Sequence, residues 1–219
     1  ASVNAPTCKR IGILSGTNRG TIINCSVTHS SLYSKSTTSQ QGYISAYNTG
    51  TIANCYTTNC EMTVNGSSGM AGGIAGFATG NILNCYAYHN SYPTLESSSF
   101  TGGIVGQSHK TTSLAISNCC AYHDTEYSSN VFGGIIGYGR AATTIYYCFY
   151  NNGNPFREKE TGCNESIRKK YYKNYCTIDS IPINKFLNEW VENEEKNPTY
   201  PNIKFKKWTT DTTTLPTFQ

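Results

Sequence analysis

The sequence lacks long apolar runs and, in its first 150 residues, lacks the spacing of an amphipathic helix. No apolar stretch approaches the roughly 20 residues that span a bilayer, so we expect a soluble chain with no membrane span. A secretory signal peptide is also missing, although a mature exported protein would look the same. Short apolar runs broken by Gly, Asn, Ser and Thr, without an i, i+3, i+4, i+7 pattern, argue against helical repeats.

Residues that usually carry out catalysis are scarce as well. Solenoid enzymes that process glycans depend on clustered carboxylates and bases, and the sequence shows no Ser-His-Asp order, no P-loop and no zinc-finger spacing. We therefore predict a scaffold or binding surface without a cofactor, and keep a glycan-processing β-helix enzyme as an alternative. The carboxylates of the first 150 residues are Glu61, Glu96, Asp124 and Glu126.

The sequence contains a motif that occurs five times, most clearly as GGIAGFATGNILNC from Gly72 to Cys85. Its leading glycines recur at intervals of 30, 30, 30 and 31 residues. A period in this range is typical of stacked repeats. The leading glycines are Gly12, Gly42, Gly72, Gly102 and Gly133, and the terminal cysteines are Cys25, Cys55, Cys85, Cys119 and Cys148.

Two aliphatic columns run through the five copies. One lies two residues after the leading glycine, and the other lies three residues before the cysteine. Inward side chains of stacked coils give such columns, and β-branched residues favour strands. We predict an all-β, right-handed parallel β-solenoid of about five coils of about 30 residues, stacked about 4.8 Å apart. The columns are Leu14, Ile44, Ile74, Ile104 and Ile135, and Ile22, Ile52, Ile82, Ile116 and Ile145.

The turns of each coil are predicted from Asn and Gly. The second Ile and the Cys are three residues apart, so both point inward only if a corner separates them. Four copies place Asn before the Cys, and Asn tolerates the left-handed conformation that a corner needs. The fifth copy has Tyr147 there, which predicts a distorted last coil. A second glycine four residues after the first predicts a bend or a close backbone approach.

These residues carry a family resemblance. Gly-Gly-Ile-Val-Gly, a short turn and then Ile-x-Asn-Cys-Tyr resemble the GLUG motif, a repeat of secreted and cell-surface bacterial proteins. The copies Gly42 to Tyr56 and Gly72 to Tyr86 match best, and the resemblance covers residues 10–150. It implies a β-solenoid, often in adhesin-like or protease-associated surface proteins, and it brings no catalytic residue.

Composition changes near Asn151. Residues 1–150 hold 6 of the 17 Lys and Arg and 4 of the 13 Asp and Glu. We predict a solenoid over residues 1–150 and a charged C-terminal cap over residues 151–219, which covers the open end of the stack. Within the cap, apolar residues at helical spacing predict one short helix at about 183–196. Trp208, Leu215 and Phe218 are available to pack back on the coils.

The ten cysteines allow two interpretations. The five repeat cysteines are small buried hydrophobes or, alternatively, form disulfides between coils, which neighbouring coils bring near the allowed separation. Cys120, next to Cys119, should face outward. Cys163 and Cys176 form the most plausible disulfide, since it would close a loop in a segment with little core.

Two clusters suggest other ligands. His29, His89 and His123 each follow a repeat cysteine by four residues. Stacked imidazoles could bind a metal, but Asn59 replaces the histidine in the second copy, so we interpret them as a polar column and predict no metal site.

The run Arg168-Lys169-Lys170 is followed by Tyr171, but without a nucleic-acid-binding fold we predict a solvated surface and no nucleic-acid partner.

The predicted binding surface is an aromatic strip. If each repeat cysteine points inward, the next residue points outward, and so does the one two further on. Such a strip stacks on sugar rings or docks a subunit, or it only stabilises neighbouring strands. The strip consists of Tyr56, Tyr86, Tyr88, Tyr122 and Phe149.

Together these features predict a secreted or cell-surface, adhesin-like solenoid. Its partner would be a glycan, the extracellular matrix or a protein. The first alternative is a filament subunit, because coils with an open end add head to tail. The second alternative is the glycan-processing enzyme.

Overall fold

The computed structural model is a parallel β-solenoid with one short C-terminal helix, which confirms the predicted fold class. It describes residues 1–36, 38–64, 69–92, 99–109, 112–124, 132–140, 142–151, 154–159, 164–165, 168–170, 177–178, 181–211 and 214–219. Between residues 152 and 180 it describes backbone alone.

The described strands follow one another coil by coil. The first two coils contain β1 (Ser2–Asn4), β2 (Arg10–Gly12), β3 (Ser15–Asn18), β4 (Thr21–Ile23), β5 (Ser26–Thr28), β6 (Ser31–Ser34), β7 (Gln40–Gly42), β8 (Ser45–Asn48), β9 (Thr51–Ala53), β10 (Tyr56–Thr58) and β11 (Glu61–Val64). The next two contain β12 (Met70–Gly72), β13 (Ala75–Ala78), β14 (Ile82–Leu83), β15 (Tyr86–Tyr88), β16 (Phe100–Gly102), β17 (Val105–Ser108), β18 (Leu114–Ser117) and β19 (Cys120–Tyr122). Then come β20 (Phe132–Gly139), β21 (Thr143–Tyr146), β22 (Cys148–Tyr150), β23 (Asn154–Lys159), β24 (Asn164–Glu165), β25 (Arg168–Lys170), β26 (Thr177–Ile178), β27 (Ile181–Pro182) and α1 (Ile183–Lys196).

Corresponding strands of successive coils form parallel sheets. The glycine sheet contains β2, β3, β7, β8, β12, β13, β16, β17, β20 and β23; the isoleucine sheet contains β4, β9, β14, β18, β21 and β24. The tyrosine sheet contains β5, β10, β15, β19, β22 and β25, and the small sheet contains β1, β6 and β11. Strands β23, β24 and β25 pair with β20, β21 and β22, so the ladders continue past residue 151. The domain boundary near Asn151 stays a prediction.

The register confirms the isoleucine column of the core. Ile22, Ile52, Ile82, Ile116 and Ile145 are consecutive partners across the isoleucine sheet. The last four are fully buried, and Ile22 is half-buried.

The first coil is the exposed end of the described stack. Its strands β2, β3, β4 and β5 each pair with a single described neighbour. The side chain of Leu14 is accordingly 46% exposed, whereas Ile44, Ile74, Ile104 and Ile135 are fully buried. The prediction of a core position is therefore wrong for Leu14 alone, because no described coil stacks below it.

Left-handed residues form the corner between the isoleucine and tyrosine sheets. Positive φ angles of 51° to 58° occur at Asn24, Asn54, Asn84, Asn118 and Tyr147. The asparagine corner is confirmed, and Tyr147 keeps the same conformation. The predicted distortion is thus absent from this corner; the fifth copy instead merges two glycine-sheet strands into the eight-residue strand β20.

Close backbone approach explains the repeated glycines. A Cβ at Gly42 would lie 2.2 Å from the Ser45 carbonyl oxygen and 2.6 Å from the Gly76 nitrogen. A Cβ at Gly76 would lie 2.4 Å from the Gln41 nitrogen. Side chains at these positions would therefore collide with the neighbouring turn or coil.

The C-terminal segment contains the predicted helix and packs on the side of the solenoid. Helix α1 occupies Ile183–Lys196, and it buries Ile183, Leu187, Trp190 and Val191. We call residues 181–211 and 214–219 the clasp. Its apolar residues form a second cluster with the outer face of the tyrosine sheet, separate from the core inside the coils. The described clasp therefore covers the side of the solenoid, and the capping of the open end by residues 151–219 stays a prediction.

The isoleucine column gives a test of the register. Ile82→Asp should unfold the solenoid, because an unpaired carboxylate buried among aliphatic side chains costs several kcal/mol out of a total of about 5–15 kcal/mol. Thermal melting monitored by circular dichroism measures this loss. Thr21→Asp, at an exposed position of the same sheet, is the control and should melt near the parent. If both variants melted alike, the register would be wrong.

Candidate binding face

The predicted aromatic strip forms the outer side of the tyrosine sheet. Tyr56, Tyr86, Cys120 and Phe149 are consecutive partners, and Tyr88 is paired with Tyr122. The Tyr56 and Tyr86 rings stack with centroids 4.7 Å apart. The register of the strip and the outward direction of Cys120 therefore agree with the sequence analysis.

The strip is not an exposed surface, however, and this expectation was wrong. The exposed fraction is 5% for Tyr86, 2% for Tyr88 and Tyr122 and 0% for Phe149; Tyr56 is half-buried. Burial raises the pKa of Tyr86. The clasp covers the strip, so these residues serve an internal interface.

Aromatic residues of the clasp pack directly on the strip. The ring centroid of Tyr86 lies 5.8 Å from Trp208 and 5.2 Å from Phe218. The Tyr88 hydroxyl donates a hydrogen bond of 2.7 Å to the Pro216 carbonyl. Large rings with satisfied polar groups give a stable dry interface.

The corner asparagines hold the clasp by hydrogen bonds. Asn54 and Asn84 donate to the carbonyls of Lys204 and Lys206 at 2.8 and 3.0 Å. The Trp208 indole N–H donates to Asn84 Oδ1 at 2.7 Å. Lys204 and Lys206, which are two residues apart in the clasp, thus contact neighbouring coils. This spacing is expected for an extended segment that runs along the stack. Asn118 donates to the Leu187 carbonyl at 3.1 Å and so extends the contact to α1.

The glycine sheet presents a different aromatic column. Thr17, Tyr47, Phe77, Gln107 and Tyr138 are consecutive partners. Tyr47 and Tyr138 are half-buried, and the rings of Tyr47 and Phe77 stack at 5.2 Å. We call this column, with its flanking residues Arg10, Gln40, Phe100, His109 and Arg140, the glycine-sheet face.

Sequence reasoning missed this face, although a signal for it exists. Each column residue follows its leading glycine by five positions, so the same alignment that revealed the tyrosine strip contained it. The column mixes Thr, Tyr, Phe and Gln, so it lacks the single recurring residue type that identifies a column in a sequence.

Two arginines clamp the glycine-sheet face in the same way. The guanidinium carbon of Arg10 lies 4.3 Å from the centroid of Tyr47, and that of Arg140 lies 4.6 Å from the centroid of Tyr138. Arg10 Nε donates to Gln40 Oε1 at 3.1 Å. With the Gln107 amide turned so that its oxygen faces Arg140, Arg140 donates to this oxygen from Nε and Nη2 at 3.2 and 3.1 Å. Each cation is therefore held by a tyrosine ring and a glutamine, an arrangement that fixes its direction.

A pocket of about 250 Å³ lies at the Arg140 end of the glycine-sheet face. It is lined by Phe77, Gln107, Ser108, His109 and Arg140. An apolar floor with a few converging polar groups is the usual composition of a ligand pocket.

The histidines do not assemble a metal site. The described residues contain no group of three His, Cys, Asp or Glu side chains able to hold a metal ion. His29 is exposed, and Asn59 separates it in register from the half-buried His89. His89 Nδ1 lies 2.8 Å from Asp124 Oδ2. His123 is buried between Tyr92 and Phe132.

The repeat cysteines carry free thiols within the coils. Cys55, Cys85, Cys119 and Cys148 are buried, and Cys25 is half-buried. Each of these five sulfur atoms contacts the carbonyl two residues before it, as for Cys55 and Ala53 at 3.1 Å. The alternative of disulfides between coils is therefore wrong for these positions. Cys163, Cys176 and Tyr171 lie outside the described residues, and only backbone is described at Arg168–Lys170.

Comparison with protein-family models, with curated proteins and with solved structures gave no match. The GLUG resemblance thus stays an expectation from the repeat itself. In the described part of the chain, no helix has the length and apolar character needed to cross a membrane.

The asparagine corner gives a prediction about the clasp. Asn84→Gly preserves the left-handed backbone but removes the hydrogen bonds to Lys206 and Trp208, together with those that join Asn84 to Asn54 and Asn118. It should therefore destabilise the protein by about 2–4 kcal/mol. Hydrogen exchange should increase at residues 204–208. Asn24→Gly is the matched control, since the described side-chain contact of Asn24 is with Asn54 alone. Equal exchange in the two variants would contradict this role of the corner.

His123 predicts a pH dependence of stability. Burial lowers its pKa from 6.5 to about 3, against the opposing influence of a backbone hydrogen bond at Asn90 and the charge of Asp124. Between about pH 3 and pH 6.5 this histidine binds more protons in the unfolded chain than in the folded protein. The free energy of unfolding therefore rises with pH, and this stability is lost as pH falls from about 6.5 towards 3. The loss should amount to several kcal/mol. Urea unfolding across this range should show a weaker dependence for His123→Asn than for the parent, while His29→Asn should follow the parent.

Proposed function

We propose that this chain is an adhesin-like binding protein, secreted or on the cell surface, that holds a glycan, matrix or protein partner on its glycine-sheet face. The supporting observation is the pair of arginines that lie over Tyr47 and Tyr138, the two half-buried tyrosines of the aromatic column. Positioned donors beside apolar rings provide both contact area and hydrogen-bonding direction.

The rigidity of the platform supports this proposal. Strands β8, β13 and β17 below the column are held on both sides by parallel ladders, and β3 is held on one side. Glycines such as Gly42, Gly76 and Gly106 leave no room for a side chain. A face of this kind loses little conformational entropy on binding, because its side chains are already ordered by stacking and hydrogen bonds. The tyrosine sheet, by contrast, is already occupied by the clasp.

Self-association into filaments is a second candidate, favoured by the first coil. Its strands have unpaired edges among the described residues, and Leu14 is exposed beside them. Open β edges add further strands readily. A glycan-processing enzyme remains the further alternative.

The double variant Tyr47→Ser/Phe77→Ser tests the proposed function. Both side chains lie on the outer face, so the β-rich circular dichroism spectrum should persist while binding to a glycan array or to matrix proteins falls by about tenfold or more. Tyr146→Ser removes an exposed tyrosine from the isoleucine sheet and serves as the control. A double variant that bound every parental ligand unchanged would refute the role of the glycine-sheet face. Electron microscopy of the same parent sample would reveal filaments if the second candidate holds.

A further inference from the structure

Charge is distributed unevenly along the solenoid. Residues 1–60 contain four cationic side chains, Lys9, Arg10, Arg19 and Lys35, and no Asp or Glu. All four are exposed. The first carboxylate in the sequence is Glu61, which pairs with Ser31 in the small sheet and not in the glycine sheet. Residues 1–60, which include β1 to β10, therefore form a cationic end of the stack without a carboxylate side chain.

The four cationic residues border the first strands of the glycine sheet along the chain. Arg10 begins β2, and the carbonyl of the preceding Lys9 accepts from the Gln40 amide at 2.7 Å. Lys35 lies between β6 and β7, and its backbone amide donates to the Pro6 carbonyl at 3.1 Å. Arg19 follows the other end of the sheet directly after β3. Cationic residues thus flank β2 and β3 in the chain, and the Lys35 ammonium lies 6.0 Å from the ring centroid of Tyr33 in the small sheet.

Arg10 is held with part of its guanidinium unused. Its Nε donates to Gln40 Oε1 at 3.1 Å and its Nη1 to Thr17 Oγ1 at 3.4 Å, while the Tyr47 ring lies beneath it. Both acceptors are neutral, so the positive charge is not compensated within this cluster. A guanidinium has five N–H donors in one plane, and the edge between Nη1 and Nη2 retains two that suit the two oxygens of a carboxylate. No described residue accepts from Nη2.

We propose that the cationic end of the glycine-sheet face binds an acidic polysaccharide, with a carboxylate of the polymer on the Nη1 and Nη2 edge of Arg10. Lys9, Arg19 and Lys35 attract further carboxylates of the same chain. This inference rests on the proposed function and specifies its ligand. Hydroxyl groups of the sugar find partners in Gln40, Thr17 and the Tyr47 phenol.

The ring geometry favours a polysaccharide over a nucleic acid. Single-stranded nucleic acids bind mainly by stacking bases on free aromatic faces. Here Arg10 covers one face of Tyr47, and Phe77 stacks on the other with an interplanar angle of 11°. The edges of the rings remain outward, and ring edges carry the positive side of the quadrupole, which favours anionic and hydroxyl oxygens.

The polar character of the site favours a polysaccharide over an acidic protein. Protein partners gain most of their affinity from apolar anchors in desolvated pockets. The neighbours of Arg10 on the sheet are Gln40, Thr17 and Tyr47, and each presents a hydrogen-bonding group. Such a surface matches a ligand made of hydroxyl and carboxylate groups along a repeating chain.

Affinity for polygalacturonate, measured by calorimetry with the full chain, tests the proposal. Binding should weaken as salt increases, and neutral galactan should bind more weakly. Arg10→Gln should weaken binding to polygalacturonate by about 10- to 100-fold, because it removes a charge-assisted hydrogen-bond pair. Arg10→Lys should lose much of the same affinity, since it keeps the charge but not the planar fork. Lys204→Gln, which removes an exposed cation of the clasp, is the matched control and should bind like the parent.

Several results would overturn the proposal. Equal affinity for the neutral and acidic polymers would exclude charge recognition, and an unchanged Arg10→Gln variant would place the contact elsewhere. Tighter binding of single-stranded DNA or of poly-glutamate than of polygalacturonate would assign the cationic end to another class of partner. If a neutral glycan or matrix protein bound in a manner sensitive to Tyr47→Ser/Phe77→Ser while polygalacturonate did not bind, the ligand would be wrong and the proposed function would stand.

Discussion

The side-chain hydrogen bonds of the corner asparagines are the constraint on which both the coils and the clasp depend. Asn54 donates to Asn24 Oδ1 at 3.2 Å, Asn84 to Asn54 Oδ1 at 2.7 Å and Asn118 to Asn84 Oδ1 at 2.7 Å. The left-handed backbone at each of them turns the chain from the isoleucine sheet into the tyrosine sheet. Because an amide offers two donors and an acceptor with two lone pairs, the same groups also bind the clasp. A hydrophobic residue could fill the corner but could not perform both tasks.

Period and side-chain shape explain why the fold could be predicted from sequence. The isoleucine column ending at Ile145 and the corner at Asn84 are local consequences of one 30-residue register repeated in parallel. Helix α1 was likewise predictable, because Leu187 and Trp190 share one face. The location of the clasp was not, since it depends on contacts such as Asn54 with Lys204, which are 150 residues apart. No repeat pattern encodes such a pairing.

The placement of the clasp explains why the aromatic strip was predicted in the correct register but is largely inaccessible to solvent. Alternation along a strand predicts that Tyr86 leaves the coil interior, but it does not distinguish solvent from another segment of the same chain. Trp208 occupies that space and is itself fully buried. The outward column on the glycine sheet escaped attention because Thr17, Gln107 and Tyr138 do not resemble one another. Their shared direction is decided by the backbone, and their chemical variety is what a recognition surface requires.

Stacking within the glycine-sheet column determines how that surface can recognise anything. Tyr47 and Phe77 lie face to face along the stack because adjacent coils place identical positions one strand spacing apart. Their faces are therefore used to stabilise the ladder, and recognition falls to ring edges, hydroxyl groups and the two clamped arginines. The column, in which Tyr47 and Tyr138 are half-buried and Phe77 is buried, thus combines two roles on different sides of the same rings. A ligand that needs free ring faces would have to break the stack, whereas one that needs directed N–H and O–H donors meets a surface already arranged for it.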